Sequence, residues 1–302
     1  MRTAAATEAT EARGSRVGWS GALAGGRPAG RHRGQAAMAL AGFALIAALA
    51  LLALAGPAVL RGSPTAIRSD RALQAPSLVE PFGMDDLGRS VLARVVHGYR
   101  VSLDVAVTSV LLAFVVGLPL GLVAGYSEGL LDQLIMRPLD VLMAFPAILL
   151  AIALMSVFGV GLLLVAMALA VVYVPVVARV VRAGVLAAKA EVYVEGARAL
   201  GATVRRVVLR HILPNTATPI LVQASVLMAV AILVEAALSF LGVGVRPPTP
   251  SLGLMLADGR GFMLQAPWVV VFPGLAIMTA VLSFNMLADG LRDWLDPGAG
   301  PR

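Results

Sequence analysis

Three histidines, one lysine and no cysteine leave this 302-residue chain few groups able to carry a reaction. The histidines are His32, His97 and His211, and the lysine is Lys189. Without cysteine there is no disulfide framework, thiolate metal site or cysteine nucleophile. Lys189 lies between Ala188 and Ala190, so the phosphate-binding Gly-Lys-Ser/Thr run is absent. Neither His-Glu-x-x-His nor Gly-x-Ser-x-Gly occurs. The chain reads as a non-enzyme with no catalytic residue, no metal ligand and no cofactor. Glu235 is the one acid deep within a long apolar run. An acid at such depth faces a bundle interior or a watery cavity. It either lines a translocation path and meets a cationic group, or it is structural. The structural choices are a pair with Arg246 or Arg100, or neutralisation by burial.

The elements that position these groups are hydrophobic helices. Hydrophobic residues make up 59% of the chain, charged residues 14%, and mean hydropathy is +0.88. Soluble domains are about 45–50% apolar. A transmembrane helix needs about 20 apolar residues. Charge-free runs at 36–60, 105–127 and 268–287 are each long enough, as is 216–241, whose one charged residue is Glu235. The run between Asp140 and Arg179 would measure about 57 Å as one helix, nearly twice the apolar thickness of a bilayer. It must fold back, and Gly159-Val160-Gly161 is the natural turn. The expectation is an all-α integral membrane protein with six transmembrane helices.

The net charge of +7 invites a nucleic-acid reading, but the arginines flank the hydrophobic runs. This is the pattern of the positive-inside rule, so no nucleic-acid partner is expected. The N-terminal tail and the segment after span four are both arginine-rich. With six spans they share one side, which predicts cytoplasmic N- and C-termini. The arginines of 61–100 run against this rule. Ala53-Leu54-Ala55 resembles a signal-peptidase site, but the run is longer than a signal peptide's apolar core, so a retained first helix is expected.

The organisation read from these features begins with a disordered cytosolic tail, 1–35, and a first transmembrane helix, 36–60. An external loop follows at 61–100. Within it, Leu87, Val91, Val95 and Tyr99 recur every four residues, predicting an amphipathic interfacial helix over 85–100 capped by Asp85 and Asp86. A five-helix core spans 101–290, and 291–302 is a cytosolic C-terminal tail. Pro146 and Pro175 are candidates to kink spans three and four. Residues 187–215 are too many for a simple hairpin. They read as helix, tight turn at Gly201, then helix, stopped by Pro214.

This segment carries a resemblance. Glu195-Gly196-Ala197, then Gly201, then Ile212-Leu213-Pro214 is similar to the EAA loop of ABC importer permeases. Gly196 replaces the pattern's first alanine, and His211 stands where it has isoleucine. Residues 81–89, 210–215 and 235–244 resemble the dipeptide/oligopeptide/nickel branch, C-type subunit. The resemblance covers about 80–297. It implies a type I ABC importer permease fold whose cytoplasmic coupling helix docks on an ATPase subunit. Glu195, Gly196, Ala197 and Gly201 would dock, and Leu213 and Pro214 would complete the motif. It also implies a homologous second permease, two ABC ATPase subunits, an extracytoplasmic substrate-binding protein and the cell membrane. Small peptides are the implied cargo, with nickel or another small solute as alternative. A secondary transporter is the distant alternative, and it lacks the expected internal repeat.

Overall fold

The computed structural model describes residues 30–59 and 63–295, and these are mostly helical, with irregular stretches at 63–90 and 241–251. In chain order the helices are α1 (Gly30–Val59), α2 (Val91–Ser127), α3 (Gly129–Met143), α4 (Ala147–Phe158) and α5 (Leu162–Lys189). Then come α6 (Val192–Ala199), α7 (Val204–Arg206), α8 (Leu213–Asn215), α9 (Ala217–Phe240), α10 (Leu252–Gly259) and α11 (Trp268–Leu295). Among the described residues, α2, α5, α9 and α11 are long and apolar enough to cross a membrane. The pair α3–α4, bent by 93°, is a fifth crossing if counted as one span. In α1 the described apolar stretch is shorter, Leu40–Gly56.

Several expectations are corrected. Residues 30–35 belong to α1 rather than to a tail, and the rest of the expected N-terminal tail lies outside the described residues. At the other end α11 continues past 290 to Leu295, with no proline between Pro273 and Pro297, and 296–302 lie outside the described residues. No separate helix occupies 85–100. Gly88 adopts φ +69°, and the helix starts only at Val91, running unbroken to Ser127. Its N-cap is Ser90, whose hydroxyl accepts from the Ala93 N–H. The Asp85 carboxylate instead accepts from the Leu87 and Arg89 amides.

The run expected to hold spans three and four folds back at Gly159, with φ +95°, as the charge spacing predicts. The break at 144–146 between α3 and α4 falls at Pro146, whereas α5 continues through Pro175. Pro214 does not stop the second helix of the 187–215 segment. A π-helical turn over Val207–Ile212 precedes it, and α8 and α9 follow with only a short break at Thr216. The wider turn carries one extra residue, which makes room for a ring with no N–H to donate.

The core is built around the α2–α5 pair. Gly117, Gly121 and Gly125 on α2 recur every four residues and face Val177, Val181 and Val185 on α5. A Cβ at Gly121 would lie 2.5 Å from the Ala178 carbonyl oxygen, so the backbones nearly touch. Small residues at this spacing are a common device for packing helices in lipid, where apolar burial gives little advantage.

Three ion pairs join α3 and its N-cap residue to α5. Arg182 donates to both Asp132 oxygens at 2.6 and 2.5 Å. Arg179 reaches Asp140 at 2.6 Å, and Lys189 reaches Glu128 at 2.7 Å. The cations Arg179, Arg182 and Lys189 are part of a helix rather than of the arginine-rich segment expected after span four. They lie on α5 and pair with acids placed 39–61 residues earlier.

Candidate coupling surface and the buried acid

The segment after α5 is a rigid projection. Lys189 closes α5 and also donates to the Tyr126 carbonyl at the end of α2, at 2.7 Å. The guanidinium of Arg198, on α6, sits 5.1 Å from the Tyr126 ring centroid. These contacts fasten the base of the projection to the α2–α5 pair. Val194, Val207 and Ile212 are fully buried beneath it.

The helix α6 ends as its sequence dictates. Gly201, at φ +79°, donates to the Arg198 carbonyl, and Ala202 donates to the Ala197 carbonyl. This is a Schellman motif, in which glycine takes the left-handed position that a side chain would strain. Thr203 then caps the next turn, its hydroxyl accepting from the Arg206 amide.

The motif residues divide into a tip and a stem. Glu195, Gly196 and Gly201 are exposed, and Ala197 is half-buried. A Cβ at Gly196 or Gly201 would meet nothing within 4 Å, so Gly196 serves no packing role inside this chain. Val192, Tyr193 and Leu200 lie exposed beside them. Leu213 is half-buried and Pro214 exposed, on the stem rather than at the tip. Sequence reasoning missed the buried anchors Val194 and Val207, whose signal was only their apolar character in a polar segment.

Glu235 lies at the opposite end of the bundle, fully buried in α9. Neither Arg100 nor Arg246 is within ion-pair distance; the acid nearest Arg100 is Asp104, at 3.9 Å. Three hydroxyls donate to the carboxylate instead. Ser102 of α2 does so at 2.6 Å, and Ser239 of α9 and Ser251 each do so at 2.9 Å. In this conformation Glu235 lines no open path. Serines give no sequence signal of such a role, because the pairs with Ser102 and Ser251 span 133 and 16 positions.

Residues 117–300 match the family described as binding-protein-dependent transport system inner membrane component. The chain belongs to that family. This permease is also 44% identical over 260 residues to a dipeptide transport system permease protein of Alkalihalophilus pseudofirmus, covering 86% of each chain. It is 46% identical over 228 residues to a glutathione transport system permease protein of Pectobacterium atrosepticum, covering 76% of each. A di/tripeptide transport system permease protein of Pseudomonas aeruginosa is 41% identical over 265 residues, covering 86% of this chain and 88% of that one. The protein is therefore a multi-pass inner-membrane permease component of an ABC transport system, a non-catalytic part of it.

At the same end as Glu235, the permease holds a second polar cluster. Arg94 is buried and donates to Asp85, and its other nitrogen lies 3.3 Å from Asp258 of α10. Arg89 reaches Asp85 at 2.6 Å, Asp86 at 3.5 Å and Asp258 at 3.8 Å. Three acids thus share two arginines. Burial raises the Asp86 carboxyl above its usual range, the Asp85 charge adds to this, and Arg89 opposes it. An acid whose folded pKa is raised disfavours the folded state once it is ionised. Asp86→Asn is thus expected to raise the melting temperature at pH 7. The gain should shrink as pH falls through the raised pKa and vanish below the ordinary carboxylate range. Melting curves of detergent-solubilised protein from pH 7 to pH 4 check this; a pH-independent difference would contradict it.

Proposed function

We propose that this chain is one of two homologous permeases forming the translocation path of an ATP-driven importer of small peptides. The observation that carries this reading is the α6–Gly201 tip. It is small, partly apolar and exposed, yet its stem is locked onto α2 and α5 by Lys189, Arg198, Val194 and Ile212. A projection that moves rigidly with two long helices can convert a push at its tip into rotation of those helices. The push would come from closure of two separate ATPase subunits around ATP. Glu195, Gly196, Ala197 and Gly201 would form the docking face, while Leu213 and Pro214 belong to the stem that aims it.

In this reading α1, α2, the bent pair α3–α4, α5, α9 and α11 are six spans. The α6 tip and both termini face the cytoplasm, and α10 faces outward. The exposed Arg205, Arg206 and Arg210 beside the tip agree with that orientation. Cargo would arrive from an extracytoplasmic binding protein, which would make most of the choice among solutes. The names of the relatives favour small peptides, including glutathione, over nickel.

The test is co-purification from mild detergent. Wild type should bring down a second permease and ATPase subunits. Gly201→Asp puts a side chain at positive φ and a charge on the tip, and Glu195→Lys inverts the tip charge. Both should lose the ATPases and keep the permease. Wild type that captures no ATPase in several mild detergents would remove the proposal.

A further inference from the structure

We propose that Glu235 is a positioning residue for transport, a latch that fixes the outward-facing segment 241–262 to α2 and α9 as one block. The proposal rests on the orientation given above. Three serine hydroxyls converge on its carboxylate, two of them in place of a bond they would ordinarily make.

Ser251 occupies the N-cap position of α10, where a serine ordinarily accepts from the first free amides of its helix. Here it makes no cap bond and donates to Glu235 at 2.9 Å. Ser239 ordinarily would bond back to the carbonyl one turn earlier. Instead it donates to Glu235 and accepts from the Val245 amide at 3.2 Å. Ser102 brings α2 to the second carboxylate oxygen. Because the Ser239 oxygen accepts from Val245, its proton is directed at the carboxylate, so the segment 243–245 is tied to the same group.

The packing around this hub has no slack. A Cβ at Gly244 would fall 2.2 Å from the Ser239 hydroxyl oxygen. One at Gly253 would fall 2.0 Å from the Ala236 carbonyl oxygen. Leu252, fully buried, fills the space left by Gly98, where a Cβ would be 2.9 Å away. At its other end α10 is held by Asp258 against Arg94. The segment therefore has no freedom to move against α2 and α9 while the hub is intact. A rigid segment here would transmit the helix rotation started at α6 to the outward face, where cargo enters. Loss of the hub would leave the spans folded but let that segment lag.

The test uses the complete chain, which contains no cysteine and so accepts a clean label pair. Nitroxides are placed on cysteines introduced at the exposed positions Thr249 and Leu111. The latch predicts one narrow distance for wild type, and broadened distributions for Ser251→Ala and for Glu235→Gln. In proteoliposomes holding the full transporter and its binding protein, both variants should lower peptide uptake per ATP hydrolysed by about tenfold, the scale of one lost buried hydrogen bond. Amounts of assembled complex should be unchanged. Ser109→Ala is the control, since Ser109 is buried in α2 but bonds only to the Ala106 carbonyl of its own helix. Wild-type distances and coupling in both variants would overturn the latch, as would an equal loss in Ser109→Ala. The distances are read on this chain alone, so they answer even if no ATPase partner is captured.

Discussion

Gly121→Leu is expected to leave little or no folded protein in the membrane. The Cβ alone would sit 2.5 Å from the Ala178 carbonyl oxygen and 2.7 Å from the Val181 Cβ. The helices have no direction of retreat, because the same contact repeats one turn away on each side. Gly117 faces the Val174 carbonyl and Gly125 the Arg182 carbonyl, each at 2.9 Å. Overpacking costs about 1–3 kcal/mol where side chains can yield. Here the obstacle is backbone, which places the expected cost at or above about 3 kcal/mol, the top of that range. Gly121→Ala is the graded variant and should already lower the melting temperature. Gly274→Ala, where a Cβ meets nothing within 4 Å, should not. Size-exclusion profiles and melting curves in detergent read all three. A normal profile for Gly121→Leu would mean that α2 and α5 stand further apart than described.

Arg94→Leu is expected to cost about 3 kcal/mol, the lower end of the range for removing one member of a buried ion pair. The lower end applies because Asp85 keeps Arg89 at 2.6 Å and two backbone amides. The damage should spread in a readable direction. The turn around Asp85 holds the preceding loop in place: Arg68 donates to the Leu87 carbonyl, Leu73 to that of Asp85, and Met84 to that of Gln74. Once the turn loosens, the exposed Arg68 and Arg71 should become sites of rapid tryptic cleavage. Arg94→Lys keeps the charge but loses the planar fork that serves Asp85 and Asp258 together, and should fall between. An unchanged digestion pattern in Arg94→Leu would show that the loop is held by other contacts, such as the Phe82–Phe272 stack.

The legible and illegible parts of this chain differ by the range of the deciding interaction. Charge-free length is a local property, so the apolar runs and the reversal at Gly159 could be read directly. Gly201 was equally readable, since a left-handed turn between two helix-forming stretches needs glycine whatever surrounds it. Asp85 misled because an acid ahead of an apolar helical pattern is a good local cap. Its actual partners include Arg94, which is tied in turn to Asp258, 164 positions further on. Pro214 misled because the rule that proline ends a helix ignores a π-turn that absorbs the ring. For Glu235 the depth could be read but the partners could not, because three serines in apolar segments look like any others.

The pairing of α3 with α5 has a consequence for how the protein is made. The acids Glu128, Asp132 and Asp140 leave the ribosome 61, 50 and 39 residues before Lys189, Arg182 and Arg179 respectively. Acids at the ends of a helix cost less on insertion than the about 2.5–3.5 kcal/mol of the helix centre, but each lacks its cation until α5 is made. During synthesis α3 therefore waits as an unneutralised half, and its settled depth is decided only when α5 arrives. The two helices are therefore expected to settle in the bilayer together, on a schedule set by the order of translation.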